Sequence, residues 1–326
     1  LTPIKPLPKI YLDPIEDFNF NFENKIKDKC PKISFLEIEI ANGISEYKEE
    51  LGEYFNDPEN NKINFFTDVS NYISFETGQP THCYDATKMT GDLILEIDNG
   101  ECEFETLIGK KINLCEKNAV FKINNEIINL AGVMGGKNTA CSDNTTKAIV
   151  ECAYFQPALI IGKSVKYGIN SDAAYKFERG VDSNNHDYVI RRFINLVSLH
   201  ADIVSLRYSS EEYTELKPHF IELDIASVNK IIGVDVPEKV FLEHIEKLGM
   251  IVENNSIKIP SFRPDLRSIN DIAEEISRII GYDNIKPEEI EIITNSDQPS
   301  NSIKEKAIKQ ILKEEGFYEV INFPFT

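Results

Sequence analysis

Short alternations of apolar and polar residues dominate the chain. Over residues 34–40, Leu36, Ile38 and Ile40 alternate with Phe35, Glu37 and Glu39, the two-residue period of a strand. Residues 45–55 are acidic and helical in pattern. Over 93–130, alternating runs are broken by Asn-Gly, Gly-Lys and Asn-Asn pairs, which predicts a set of antiparallel strands. A strand-like run at 148–150 precedes a helix over 157–167 that ends at Gly168. Another helix, over 184–200, aligns Val189, Phe193, Leu196 and Val197 on one stripe. The polar stretch 208–217, closed by Pro218, predicts a domain boundary.

Beyond that boundary, Asp235, Pro237 and Glu238 are spaced close to a capping box, opening a helix that stops at Gly249. Strands over 250–253 and 256–259 bracket an Asn-Asn turn, and a helix over 269–280 ends at glycine. The tail from Asn301 reads as a helix to about Glu315, capped by Gly316, then a strand-like run over 320–323. Ahead of all this lies a proline-punctuated arm up to Pro14, expected to be extended, and a charged linker through Lys32.

Length changes the picture first: 326 residues suggest two domains and a fragment of a third. The chain begins without Met and stops just after a strand-like run, which reads as a piece of something longer. No apolar run approaches the roughly 20 residues of a membrane span, and the N-terminus lacks a signal-peptide layout. Six scattered cysteines, without Cys-x-x-Cys or a His partner at metal spacing, fit a reduced, cytoplasmic setting. A net charge of -19 argues against sequence-independent binding along a phosphate backbone, so nucleic acid would be touched locally. Lysine is the default cation, and the seven arginines, none before Arg179, hint at places needing a planar fork.

Three places could carry chemistry. Ser70 and Asn71 precede a Gly78-Gln79-Pro80 turn, and His82 follows it. The histidine is either bonded to its own turn or set on a rigid rim to face a ligand. Residues 131–136 hold Gly132, Gly135 and Gly136, which permit a tight bend or the close backbone approach that lines a cleft. On the helix over 269–280, Ile272, Ile276, Ile279 and Ile280 form an apolar stripe and leave Asp271, Glu274 and Glu275 together on another side. With Asp265 upstream, these carboxylates could help to hold magnesium, or form a solvated face in which Glu274 pairs with Arg278.

Several blocks carry a family resemblance. Asp68-Val69-Ser70-Asn71-Tyr72, Gly78-Gln79-Pro80-Thr81-His82, Ala131-Gly132-Val133-Met134-Gly135-Gly136, Glu151-Cys152-Ala153-Tyr154-Phe155, Phe177-Glu178-Arg179-Gly180-Val181-Asp182 and the segment 262–285 stand in that order. Together they closely resemble the beta subunit of bacterial phenylalanyl-tRNA synthetase from about Cys30 onward. After the arm and linker over 1–30, the resemblance implies an α+β fold: a mixed or antiparallel-sheet editing domain with packed helices over 31–210, a small α+β, winged-helix-like domain over 218–290, and the truncated start of a catalytic-like module over 300–326.

It also implies a function. An apolar synthetic pocket rejects an added hydroxyl only weakly, on the order of a hundredfold, so a second site that hydrogen-bonds the hydroxyl is needed to remove tyrosine from tRNA(Phe). By resemblance, Glu151 would accept that hydroxyl, with Ser70, Asn71, His82, Gly132, Gly135, Ser171 and Ala173 lining the pocket. A plain sheet-end ion pair is the alternative for Glu151. His82 would orient the terminal adenosine or the attacking water, and the 132–136 loop would offer N–H groups to the ester oxygen. Asp265, Asp271, Glu274 and Glu275 match a magnesium site completed by an alpha subunit. That subunit, in a heterotetramer of two alpha and two beta chains, would be needed for charging tRNA(Phe) with ATP.

The chain departs from the pattern in five places. Asn61-Lys62 replaces an expected Arg near the tRNA end, Ser70 and Ser171 replace Thr, Cys83-Tyr84 replaces Ala-Phe, and Gly162 replaces a basic residue. A non-editing scaffold for RNA positioning and alpha-subunit assembly is the rival reading.

Overall fold

The computed structural model describes residues 15–287 and 300–322, apart from 19 and 45. The arm expected up to Pro14 lies outside the described residues. In chain order the strands are β1 (Glu16–Asp17), β2 (Phe22–Asn24), β3 (Lys32–Ile40), β4 (Thr81–Asp85), β5 (Leu93–Asp98), β6 (Cys102–Glu105), β7 (Lys111–Leu114), β8 (Asn118–Ile123), β9 (Glu126–Leu130), β10 (Met134–Gly135), β11 (Lys147–Tyr154), β12 (Ile203–Glu212), β13 (His219–Glu222), β14 (Ile251–Glu253) and β15 (Ser256–Ile259). The helices are α1 (Glu49–Phe55), α2 (Phe65–Thr77), α3 (Pro157–Ile160), α4 (Lys163–Tyr167), α5 (Asp172–Arg179), α6 (His186–Ser198), α7 (Ile225–Ile232), α8 (Glu238–Lys247), α9 (Ile269–Ile280) and α10 (Ser300–Glu314).

A central sheet, ordered β1-β12-β3-β11-β4, is covered on both faces. Alternation along β3 divides its side chains. Leu36, Ile38 and Ile40 join Val69 and Ile73 of α2 and Phe193 and Val197 of α6 in one core. Ile33 and Phe35 face Leu95 and Phe121 of the second sheet, ordered β10-β9-β8-β5-β2, in another. The same face of β3 carries Glu37, which is buried and neutralised by Lys147 at 3.2 Å and Arg207 at 3.1 Å. The result is a helix–sheet–sheet stack, with the cavity described below at the β4 edge. The small second module packs α7, α8 and α9 on the antiparallel sheet β13-β15-β14, around Val228, Phe241, Ile257 and Ile272. The α+β class is therefore as expected.

Among the described residues, those up to Ile280 pack as one compact unit, and those from Gly281 form a second. In the second unit, α10 ends at Glu314, two residues before Gly316, whose φ is +87°, and leaves Ile303, Ile308 and Ile311 exposed.

Several expectations are corrected. The charged linker is part of the fold from Ile15 onward. β1 pairs in parallel with β12, β2 with β5, and Phe18, Phe20 and Phe22 run as an aromatic ladder onto Phe35, with ring centroids 4.9 to 5.4 Å apart. The polar stretch from Tyr208 is not a linker at first, because β12 continues to Glu212 on β3. The helix over 157–167 is split into α3 and α4 at Gly162, whose φ of +79° no helix accommodates. Asp235 does not cap α8; the N-cap position is Pro237, without a side-chain bond. Residues 320–322 are not in a strand, and Phe323 lies outside the described residues. The α2 helix was not read from sequence, although Asn64 caps it by accepting from the Thr67 N–H at 3.1 Å and Gly78 ends it at φ +74°.

Candidate functional site

Strand pairing builds the site. Antiparallel register sets Glu151 of β11 opposite His82 of β4, and Tyr84, two residues along, projects to the same face. Its hydroxyl donates to Glu151 Oε2 at 2.6 Å and accepts from Asn129 Nδ2 of β9 at 2.7 Å. A buried polar chain thus crosses from one sheet to the other. The His82 ring stands edge-on to Tyr84, centroids 4.4 Å apart at 81°.

Above these groups lies a cavity of about 230 Å³, smaller than most ligand sites, which run roughly 300–1,000 Å³. Ser70, Asn71, His82, Gly132, Gly135, Glu151, Ser171 and Ala173, the eight residues singled out by resemblance, all line it. α2 brings Ser70 and Asn71, and Ser70 Oγ bonds the Thr81 carbonyl at 2.8 Å, tying the helix to β4. Ser171 caps α5, accepting from the Ala174 N–H at 3.1 Å and donating to the Val133 carbonyl at 2.5 Å. Asn71 sits on the exposed rim, shared with a groove lined by Asn61, Asp172 and Lys176.

Glycine is required twice. A Cβ at Gly135 would lie 2.2 Å from His82 Cε1, so only a bare backbone admits the ring. Gly132 has φ +68°, and a Cβ there would meet Ile160 Cδ1 at 2.7 Å.

Burial sets the electrostatics. It pushes the Glu151 carboxyl up to about 7, against the pull of the Tyr84 hydrogen bond. It holds His82 down to about 4, neutral near pH 7. His82 as a residue is half-buried, and its Nε2 is sealed against Gly135 and has no hydrogen-bond partner. So His82 is neither bonded to its own turn nor charged. The Gln79 amide makes the turn's bonds instead, to the Pro80 and Ala153 carbonyls, both at 3.0 Å.

The loop after β9 offers less than expected. The N–H groups of Val133 and Gly136 are committed to the Leu130 and Ile128 carbonyls at 2.9 and 2.8 Å, and Met134 and Gly135 pair with β9. Ser70, Ser171 and Cys83 in the wall are not set up as nucleophiles. Ser70 and Ser171 donate to carbonyls, and burial pushes the Cys83 thiol well up. A buried carboxyl and a neutral imidazole around a small cavity suit polar recognition and attack by water.

Sequence reasoning missed Asn129, Thr81 and Ser74 in the wall. Buried polar residues in apolar periodic runs were the available signal. Of the departures, Lys62 lies 4.7 Å over the Tyr47 ring, and Gly162 occupies a left-handed position that favours glycine.

The four carboxylates of the second module do not converge. Arg263 takes Asp265 at 2.7 Å and Glu275 at 2.8 Å, and Arg278 also pairs with Glu275, not with Glu274 as the ion-pair alternative had it. Asp271 accepts from the N–H groups of Arg267 and Ser268 at 2.9 and 2.7 Å, and Glu274 faces solvent. Among the described residues no group of three or more His, Cys, Asp or Glu could hold a metal ion. As folded, these residues do not fit magnesium, because guanidinium and backbone donors already occupy three of the four.

Comparison with known proteins adds to this geometry. Residues 29–202 match the family model of the B3/4 domain, and residues 221–282 that of the tRNA synthetase B5 domain. The chain is 32% identical over 271 residues to a phenylalanine–tRNA ligase beta subunit of Shewanella oneidensis, covering 81% of this chain and 34% of that protein. To that of Aliivibrio fischeri it is 27% identical over 313 residues, covering 94% and 39%. The chain therefore spans a little over a third of the length of these relatives. A solved N-terminal fragment of the phenylalanyl-tRNA synthetase beta-subunit from Pyrococcus horikoshii aligns at TM-score 0.38 and 12% identity, covering 83% of this chain and 76% of that one, too slight a likeness to bear on the fold.

Proposed function

Because the chain belongs to the phenylalanine–tRNA ligase beta-subunit family, we propose that its cavity is an editing site which hydrolyses tyrosine wrongly esterified to tRNA(Phe). The observation that carries this reading is the meeting of Glu151, His82, Ser70, Asn71, two obligatory glycines and Ser171 around one cavity of amino-acid size. Glu151 accepts the tyrosine hydroxyl. A phenylalanine ring leaves that buried carboxyl without a partner, which is costly in a low-dielectric wall. His82, neutral and wedged between Tyr84 and Gly135, orients water or the terminal adenosine rather than carrying charge.

In the complete enzyme this chain works with an alpha subunit, which supplies the ATP-dependent charging of tRNA(Phe) in the cytoplasm. Contact with tRNA is local to the acceptor end, in keeping with the net charge of -19. Magnesium has no assigned step, since the expected ligands are engaged by protein donors.

The test is hydrolysis of preformed tyrosyl-tRNA(Phe) and phenylalanyl-tRNA(Phe) by the chain and by Glu151→Gln. A preference for the tyrosyl ester that falls about tenfold or more in the variant, the weight of one charge-assisted hydrogen bond, supports editing. Equal hydrolysis of both esters by the unaltered chain would sink it. Lys62, held over the Tyr47 ring, favours the scaffold as the second reading, under which Glu151→Gln leaves mischarging unchanged and substitutions in the second module impair assembly.

A further inference from the structure

Tyr84 does not line the cavity, yet both groups assigned a role there rest on it. It is fully buried, its ring seats His82, and its hydroxyl holds Glu151. The orientation of that hydroxyl is fixed. Asn129 Nδ2 donates to the phenol oxygen at 2.7 Å, so the phenol's one proton goes to Glu151 Oε2. Glu151 makes no other protein hydrogen bond among the described residues, and its Oε1 is not among the buried atoms left without a partner. Oε1 is thus the oxygen open to the cavity that Glu151 lines.

We propose that Tyr84 is a positioning residue of this cavity: its phenol holds Oε2 of Glu151 inside the wall and thereby presents Oε1 to the hydroxyl of a bound tyrosine. The protein supplies one phenol and the ligand supplies the second, so the carboxylate is bracketed by two like donors. A carboxylate with one oxygen anchored pays little reorganisation when the ligand arrives. The functional half of this inference rests on the editing reading; the anchoring of Glu151 does not.

The surroundings make the anchor measurable. His82 faces Glu151 from β4 and is neutral near pH 7. The thiols of Cys30, Cys83 and Cys152 lie within range of its charge, and burial keeps them protonated. Tyr84 is the group whose hydrogen bond favours the ionised form of Glu151.

Tyr84→Phe removes the oxygen and keeps the ring, hence the seat of His82 and the packing. Phenylalanine is also the residue common at this place in the resembled family. With carboxyl-labelled glutamate, the Glu151 titration can be followed by carbon NMR in the chain and in the variant. The midpoint is expected to rise by about one to two pH units in Tyr84→Phe, the size of a hydrogen bond to a charged acceptor. In hydrolysis assays above pH 7, the preference for tyrosyl- over phenylalanyl-tRNA(Phe) is expected to fall several-fold.

An unchanged midpoint overturns the inference. So does an unchanged preference in a chain that otherwise discriminates. If the midpoint rises while neither protein prefers the tyrosyl ester, the anchoring stands and the editing reading fails.

Discussion

Burial makes Glu151 and His82 unusual, and it moves them in opposite directions. Each is forced toward its neutral form, so the carboxyl rises to about 7 and the imidazole falls to about 4. For Glu151 the folded value lies above the unfolded one, near 4.5. Its contribution is therefore favourable below pH 4.5, is lost as pH climbs through 7, and is constant beyond. For His82 the sign reverses: stability is present above about 6.5 and lost as pH falls toward 4. The two effects overlap in the unaltered chain, and a difference between proteins separates them. Glu151→Gln should gain on the unaltered chain by about 3 kcal/mol between pH 5 and pH 8, read from urea midpoints at each pH. A gain that is flat with pH would mean that the carboxyl titrates normally. Little of this was readable beforehand. His82 stood out as a histidine by a turn, whereas the sealing of its Nε2 by Gly135 depends on two strands meeting.

Helix α6 shows how an element can be legible in outline and opaque in its attachments. The stripe Val189, Phe193, Leu196 and Val197 is wholly buried, as its spacing predicted. Arg192 on the same helix is buried too, and its guanidinium reaches Glu76 of α2 at 2.8 Å, Asn195 at 2.9 Å, and Glu50 of α1. One planar fork thus pins two other helices, one of them the helix that carries Ser70 and Asn71. Lysine keeps the charge and loses the fork. Arg192→Lys should cost about 1–3 kcal/mol in chemical denaturation, within the range for weakening a largely buried ion pair. A variant as stable as the unaltered chain would show that the charge alone suffices. The rarity of arginine in this lysine-rich chain was the clue, and Arg192 and Arg263 are where the fork is used.

The molecule joins a three-layer module to a smaller one, and in the smaller module protein donors engage three of the four carboxylates expected at a metal site. Arg263 holds the loop carrying Asp265 to Glu275 of α9 and lowers both carboxyl values. Millimolar magnesium should accordingly leave the melting temperature of the chain unchanged. A rise of several degrees with magnesium alone would show that the carboxylates can abandon Arg263 and gather on a cation.

What the sequence determined by itself follows from local periodicity and local backbone chemistry. The alternation of β3, the strands over 93–130, the Asn-Asn turns at positive φ, and helix α9 are written in neighbouring residues, so they were predictable. The order of blocks led to eight residues that prove to share one cavity. Long-range pairing decided the rest. The register of β4 on β11 put Tyr84 beneath Glu151, Asn129 came from the other sheet to fix the direction of the phenol proton, and β1 and β2 turned an apparent linker into the edges of two sheets. Such contacts join residues tens of positions apart, and burial, which sets the charge of Glu151 and His82, exists only once the layers have closed over them.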